Sequence, residues 1–176
     1  MSQRSWCSSP SAADFNSAQR PDATESESML VALPVPRNDA RLARLLQLYL
    51  HEWSGRITLP IGDDALYGYP DLDHWEGDDH EAVLFLEDAR IIGFALAARD
   101  VSTWHVEEFF ILLGERRRGL GARAFEALAA RHPGAWTLTV RPENPEGLAF
   151  WQRVVGTPPV AEPGDDVVRQ RFNFER

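Results

Sequence analysis

Three consecutive arginines, Arg116, Arg117 and Arg118, stand directly before Gly119-Leu120-Gly121-Ala122. An apolar strand-like run, Phe109-Phe110-Ile111-Leu112, leads into them, and an alanine-rich helical pattern begins at once afterwards. That order makes a binding place for phosphate. The first backbone N–H groups of a helix have no intrahelical partner and carry the positive end of the helix dipole. Glycine lets an anion approach the main chain with no Cβ in the way. Arginine adds charge and planar donors beside it. The expected ligand is therefore phosphorylated, and the rest of the chain must say which one it is.

The surrounding composition narrows the choice. The chain has 176 residues, 44% of them hydrophobic, enough for one domain with a real core and a short appendage. Its formal net charge of -9 makes nucleic acid an unsuitable general partner, so the arginines are a local positive patch that favours a small anion. The single cysteine, Cys7, allows no internal disulfide and no cysteine metal cluster. No apolar run approaches the roughly 20 residues of a membrane span, and the N-terminus has no apolar signal core. A cytoplasmic protein with no membrane partner is expected. Asp73, His74, Asp78 and His80 include metal-binding residue types, but their spacing matches no ligand pattern, and no metal is expected.

The elements that must position the arginine–glycine segment can be read from periodicity. Residues 1–28 are polar and without pattern, a disordered tail by composition. Met29 to Leu33 reads as a strand closed by Pro34 and Pro36. Asn38 or Asp39 can cap a helix reaching about Trp53, with Leu42, Leu45, Leu46, Tyr49 and Leu50 as its apolar stripe. Gly55 to Asp79 is a long loop whose Leu66, Tyr67, Tyr69, Leu72 and Trp75 suit packing against the domain. Ala82 to Leu86 and Ile91 to Ala98 form a hairpin, and Trp104 to Leu112 a third strand. A helix from Leu120 to Arg131 stops at His132-Pro133-Gly134. Trp136 to Val140 is a strand, Pro145 to Val155 a helix with proline in its first turn, and Val168 to Phe174 a closing strand. Antiparallel strands followed by a βαβ crossover predict an α+β protein with a mixed sheet.

Gly119-Leu-Gly121-Ala-Arg-Ala124 also fits the G-x-G-x-x-A dinucleotide fingerprint, but the context opposes it. Leu113 to Arg118 separate the glycines from the strand, no acidic residue ends the next strand, and fewer than about sixty residues remain for further βα units. A Walker A loop is excluded because Gly-Lys-Ser/Thr is missing.

Arg116-Arg-Arg-Gly119-Leu-Gly121-Ala122 resembles the R/Q-x-x-G-x-G/A motif of the GCN5-related N-acetyltransferase (GNAT) superfamily. Asn144-Pro-Glu-Gly-Leu-Ala-Phe150-Trp151 is similar to its later N-x-x-A-x-x-F-Y motif, and the order of elements from Met29 onward matches. The Glu108-to-Leu112 strand and the Tyr69-to-Trp75 loop look closest to a bacterial subgroup of acetyltransferases. The resemblance implies a mostly antiparallel central sheet with a splayed strand pair and flanking helices, over residues 29–176. It implies acetyl-coenzyme A as cosubstrate and an amine, expected to be small, as acceptor. The protein would be a monomer or a homodimer.

Carried onto this chain, the resemblance makes the amides of Arg116, Arg117, Arg118, Gly119, Leu120, Gly121 and Ala122 the cradle for the diphosphate. The pantetheine arm would lie between the strands holding Phe109 to Leu113 and Trp136 to Val140. An amide near Phe110 or Ile111 would polarise the thioester carbonyl. Asn144 and Phe150 would touch the pantetheine or adenine, and Asn144 is equally suited to cap the helix before Pro145. The base is expected fourteen and twelve residues before Gly119, at His105 and Glu107. Strict alternation puts both on one face and Glu108 on the other, and a bulge would bring in Glu108 instead. The reading favours Glu107 assisted by His105. The usual acid is a tyrosine where this chain has Trp151, whose indole releases no proton near neutral pH, so Tyr67 or Tyr69 is left to supply a hydroxyl. Asp63, Asp64, Asp71, Asp73, Glu76, Asp78 and Asp79 make the long loop acidic, which suits a cationic acceptor such as a polyamine or aminoglycoside-like amine. A coenzyme A-binding or sensing module without transfer activity is the competing reading.

Overall fold

The computed structural model describes residues 28–69, 79–164 and 167–176. Most of the expected tail, Asp71, Leu72, Asp73, His74, Trp75, Glu76 and Asp78 lie outside these residues.

Seven strands form one sheet, in the order β1-β2-β3-β4-β5-β7-β6. The strands are β1 (Leu30–Val35), β2 (His80–Glu87), β3 (Arg90–Asp100), β4 (Thr103–Ile111), β5 (Ala135–Val140), β6 (Val160–Pro163) and β7 (Val168–Glu175). The described helices are α1 (Ala40–Ser54), α2 (Leu120–Ala129) and α3 (Pro145–Val155), with a short 3-10 turn at Leu113–Glu115 before α2. Every strand pair is antiparallel except β4 with β5, which the crossover through α2 makes parallel. The mixed α+β architecture is the expected one.

Hydrophobic residues are divided between the two sheet faces. On one face, Trp136 and Leu138 of β5 and Phe172 of β7 pack with Phe125 and Leu128 of α2 and Trp151 of α3. On the other, Leu42, Leu45 and Leu46 of α1 cover Leu84, Phe94, Leu96 and Phe110. Helix α1 therefore shields the β2–β4 half of its face. Thr137 of β5 and Arg171 and Asn173 of β7 lie on that same face beyond it, against an open cavity.

Three local departures from the sequence pattern have physical causes. Strand β1 runs through Pro34, which pairs with Val83, because β1 is an edge strand and one side of it needs no donor. Helix α2 ends at Ala129, two residues before Arg131, as the chain tightens into Arg131 N–H to Leu128 O (3.1 Å) and His132 N–H to Ala129 O (3.0 Å) bonds. Strand β6 has no signal in the sequence: Val160-Ala-Glu-Pro163 lacks apolar alternation, and it is a strand because it borders β7.

Candidate functional site

Strands β4 and β5 pair only at Trp104↔Trp136, His105↔Thr137 and Val106↔Leu138. Beyond that point β4 continues for five residues, Glu107 to Ile111, with no partner on its β5 side. The two strands thus form a fork open toward the arginine–glycine segment.

A β-bulge sits at the apex. On β3, Leu96 faces Glu108 while the next residue, Ala97, faces Val106, so Glu107 is the extra residue. The bulge breaks strict alternation. Trp104 and Val106 share their face with Phe109 and Ile111, all packed in the α2–α3 core. The opposite face holds His105, Glu108 and Phe110. The expected opposition of Glu108 to His105 is therefore corrected: the bulge puts these two together and leaves Glu107 exposed at the turn of the strand.

Main-chain direction along the free edge follows. Leu112 N–H donates to Ile92 O (2.9 Å), so every second amide points at β3. The Phe110 carbonyl also points there, 2.0 Å from where a Cβ on Gly93 would stand. The amides of Phe109 and Ile111 face the fork. Of the two residues expected to polarise a carbonyl, Ile111 has its N–H in the gap and Phe110 does not. The phenyl ring of Phe110 lies under α1, 5.6 Å from Tyr49 and 5.8 Å from Phe94.

The segment after β4 leaves a run of amides unused. Arg116 N–H reaches Leu113 O (3.4 Å), and the first α2 bond is Arg123 N–H to Gly119 O (3.3 Å). Between them, Arg117 to Ala122 have no acceptor among the described residues, and no side chain caps the helix. Arg117 at φ 63° and Gly119 at φ 76° are both left-handed, the kind of backbone turn from which anion nests are built. A Cβ on Gly121 would touch the Phe150 ring at 3.0 and 3.2 Å, so glycine there lets α2 seat on α3.

The three arginine side chains go separate ways. Arg116 turns inward: its Nε donates to Ile111 O (2.8 Å), its two terminal nitrogens grip Glu52 of α1 (2.8 Å each), and its guanidinium lies 5.5 Å from the Phe110 ring centre. Arg118 pairs with Glu115 and, at 3.3 Å, with Glu87. Glu87 is only 4% exposed, ringed by Ser28, Arg90, Arg118 and Arg123, and the Ser28 hydroxyl leads these groups in holding its carboxyl below the ordinary range. Arg117 is exposed and has no ion pair among the described residues. It is the one arginine of the three with its charge available to an anion.

At the second motif, Asn144 caps α3, its side chain accepting from Gly147 N–H (3.0 Å). Phe150 stacks on Phe109 with centroids 5.9 Å apart. Trp151 is 7% exposed, packed edge-on against Phe109, Phe125 and Phe150.

Two polar groups flank the apex. His105 Nδ1 lies 2.5 Å from Thr137 Oγ1, and with Glu107, Arg171 and Asn173 these residues line an open cavity of about 780 Å³ that ends at the β3–β4 turn. Burial lowers the His105 pKa below its ordinary 6.5, and the Glu107 charge opposes that shift. The imidazole is therefore neutral at pH 7. The folded state resists protonation while the unfolded chain accepts it, so stability should fall as pH drops through the window just below 6.5 and be unaffected by this group above it. Thermal melts of His105→Gln against wild type test this: the wild type should lose ground to the variant only on the acid side, and a pH-independent difference would contradict it.

The second group was missed as a unit by the sequence reading. Glu108 accepts hydrogen bonds from the Tyr49 hydroxyl of α1 and from the Tyr69 hydroxyl (2.9 Å to Oε1). Tyr69 is brought there by the loop's attachment to α1. Gln47 bonds both the carbonyl and the amide of Tyr67 (2.9 Å each), and the Tyr67 hydroxyl meets Ser54 at 3.2 Å. Tyr67 is thus an anchor, and Tyr69 is the tyrosine at the fork.

No cluster of metal-binding residues and no helix able to cross a membrane occurs among the described residues. A sheet opened beside an uncapped, glycine-led helix is a receptacle for an extended ligand with an anionic end, and with carboxylate, imidazole and phenol at its apex it has the makings of a group-transfer site. Comparison with known proteins gives the family: a model of the acetyltransferase (GNAT) family matches residues 42–157, and the chain belongs to that family. The fold is similar to that of an acetyltransferase from Thermus thermophilus, with 21% identity, a TM-score of 0.63 and coverage of 84% of this chain and 97% of that one. It is similar to the ribosomal-protein-S18-alanine N-acetyltransferase of Escherichia coli (12% identity, TM-score 0.55, 84% and 96% covered). It is also similar to aminoglycoside 6'-acetyltransferase type Ii (16% identity, TM-score 0.59, 82% and 96% covered). No curated protein matches the chain.

Proposed function

We propose that this protein transfers the acetyl group of acetyl-coenzyme A to the amine of a small acceptor. The observation that carries the reading is the parting of β4 from β5 beyond Val106 and Leu138, directly upstream of the unused amides of Arg117 to Ala122. The diphosphate would sit on those amides and beside Arg117. Leu120, Gly121 and Ala122 supply the first-turn N–H groups, and Gly119 and Arg118 supply main chain only. The pantetheine would run back along the free edge of β4. From Ile111 to Glu107 that edge spans about 13 Å, which delivers the thioester to the apex. The Phe109 amide, which faces the gap there, then becomes the donor to the carbonyl oxygen, and the Ile111 amide pairs with the pantetheine. Arg116 serves the site indirectly, by tying the end of β4 to α1.

The acceptor would enter from the cavity that His105 and Glu107 line. An amine arrives as an ammonium and must lose a proton before it attacks. Glu107, exposed, and His105, neutral, are suited to accept that proton and pass it to solvent. A polyamine or aminoglycoside-like amine, a cytoplasmic location and a monomeric or homodimeric state complete the proposal.

The test is calorimetry with acetyl-coenzyme A, followed by thiol release against a panel of polyamines, aminoglycosides and simple amines. Saturable binding with amine-dependent thiol release supports the reading. The burial of Trp151 among three phenylalanines, where the family resemblance implies a proton-donating tyrosine, favours the second reading, a coenzyme A-binding module. Tight binding with no thiol release from any amine would select it.

A further inference from the structure

The rings of Tyr49 and Tyr69 pack against the α1-side core, and their hydroxyls meet on Glu108 in a unit that three elements converge to build. Glu108 comes from β4 one residue beyond the bulge, Tyr49 from α1, and Tyr69 from the loop that Gln47 pins to α1. Acyl transfer to an amine has a second proton to move after the first has gone to solvent. When the amine nitrogen bonds to the thioester carbon, the nitrogen becomes cationic and must release a proton. When the carbon–sulfur bond breaks, the thiolate must gain one. The acetyl carbon, the attacking nitrogen and the sulfur all lie at the apex in the proposed reaction, beside Glu108.

Resting on that proposed reaction, we infer that Glu108 and Tyr69 form a relay that carries the second proton from the acceptor nitrogen to the sulfur of coenzyme A. Glu108 takes the proton from the nitrogen as the C–N bond forms. The Tyr69 hydroxyl gives its own proton to the sulfur as the C–S bond breaks, and the phenolate is refilled from protonated Glu108 across their 2.9 Å contact. The amide and the thiol leave neutral, and both side chains return to their starting states, so no co-reactant is needed.

Tyr49 is the positioning residue. Its hydroxyl is pushed far above the usual phenol range, first by burial and then by the Glu108 charge, so it stays protonated and holds one carboxylate oxygen while the other faces Tyr69. Trp151, packed in the core on the opposite sheet face, leaves Tyr69 as the phenol placed to act.

The experiment compares two acyl donors in wild type and Tyr69→Phe, with methylamine as a nucleophile that needs no recognition. A coenzyme A thiolate benefits from a proton as it leaves, whereas the thiolate of S-acetyl-4-nitrothiophenol, a far weaker base, departs without one. Tyr69→Phe should lose about 100-fold in turnover with acetyl-coenzyme A, within the usual range for one acid–base group, while its deficit with the aryl thioester stays within about threefold. Its affinity for acetyl-coenzyme A by calorimetry should match wild type. Equal losses on both donors would show a merely structural role and overturn the relay, as would no loss on either. Tyr49→Phe should shift the pH profile of turnover while keeping the preference between donors. A wild type that binds acetyl-coenzyme A but releases no thiol from either donor would overturn the transfer reaction itself, a result distinct from failure of the relay alone.

Discussion

Gly121→Leu should weaken acetyl-coenzyme A binding by at least about 100-fold, close to 2.7 kcal/mol, in a calorimetric titration. The cause is local and steric. A Cβ at this position would stand 3.0 Å from the Phe150 ring, and a leucine must push the first turn of α2 away from α3. That turn carries the amides of Leu120, Gly121 and Ala122, half of the proposed cradle, and their direction is what an anion would read. Gly119→Ala is the contrast. Its Cβ would meet nothing within 4 Å, so the cost is the left-handed backbone at φ 76°, roughly 1–2 kcal/mol, which falls on stability as well as on binding. Gly119→Ala should therefore lower the melting temperature with a smaller loss of affinity. Unchanged affinity in folded Gly121→Leu would remove the cradle.

Glu108→Gln should reduce turnover about 100-fold or more with little change in acetyl-coenzyme A affinity. The amide keeps the shape of the side chain and can still accept a bond from one tyrosine, but it cannot take a proton from the attacking nitrogen. Glu107→Gln should cost less, about tenfold, because Glu107 is exposed on the bulge and water can replace it in removing the first proton. Steady-state kinetics on both variants against one amine rank the two carboxylates directly. A larger loss at Glu107 than at Glu108 would exchange the roles of the two. A shared small loss would point to His105 as the principal base.

Much of this arrangement could be read from the chain, for identifiable reasons. The glycine pair after a strand announces a helix start that needs no cap of its own, and α2 begins there uncapped. Asn144 before Pro145 announces a capped start, and its side chain does cap α3. Residue types fixed these features within a few positions of sequence. The bulge could not be seen in the same way. Trp104-His-Val-Glu-Glu-Phe-Phe-Ile111 reads as a regular strand, and whether Glu107 or Glu108 is extra depends on its pairing with Leu96 and Ala97 of β3. The fate of the arginines was also hidden. Arg116 binds Glu52, sixty-four positions away, and Arg118 binds Glu87, so a run that looks like one cationic patch is divided by partners from distant elements. The pairing of Tyr49 with Tyr69 around Glu108 needed α1, the loop and β4 to be brought together first, and no spacing in the sequence encodes it.

The extra residue at the apex also constrains how this strand can vary in length. Removing Glu107 would leave a plain two-residue repeat in which Trp104, Val106, Phe109 and Ile111 still share one face. Removing Val106 instead would put the Glu107 carboxylate in its place among the α2–α3 core residues. A scan of single-residue excisions, read by soluble and folded yield, should accordingly find Glu107 tolerated and Val106 intolerant. The place of Glu107 outside the repeat is what lets the imidazole and the Glu108 carboxylate share a side.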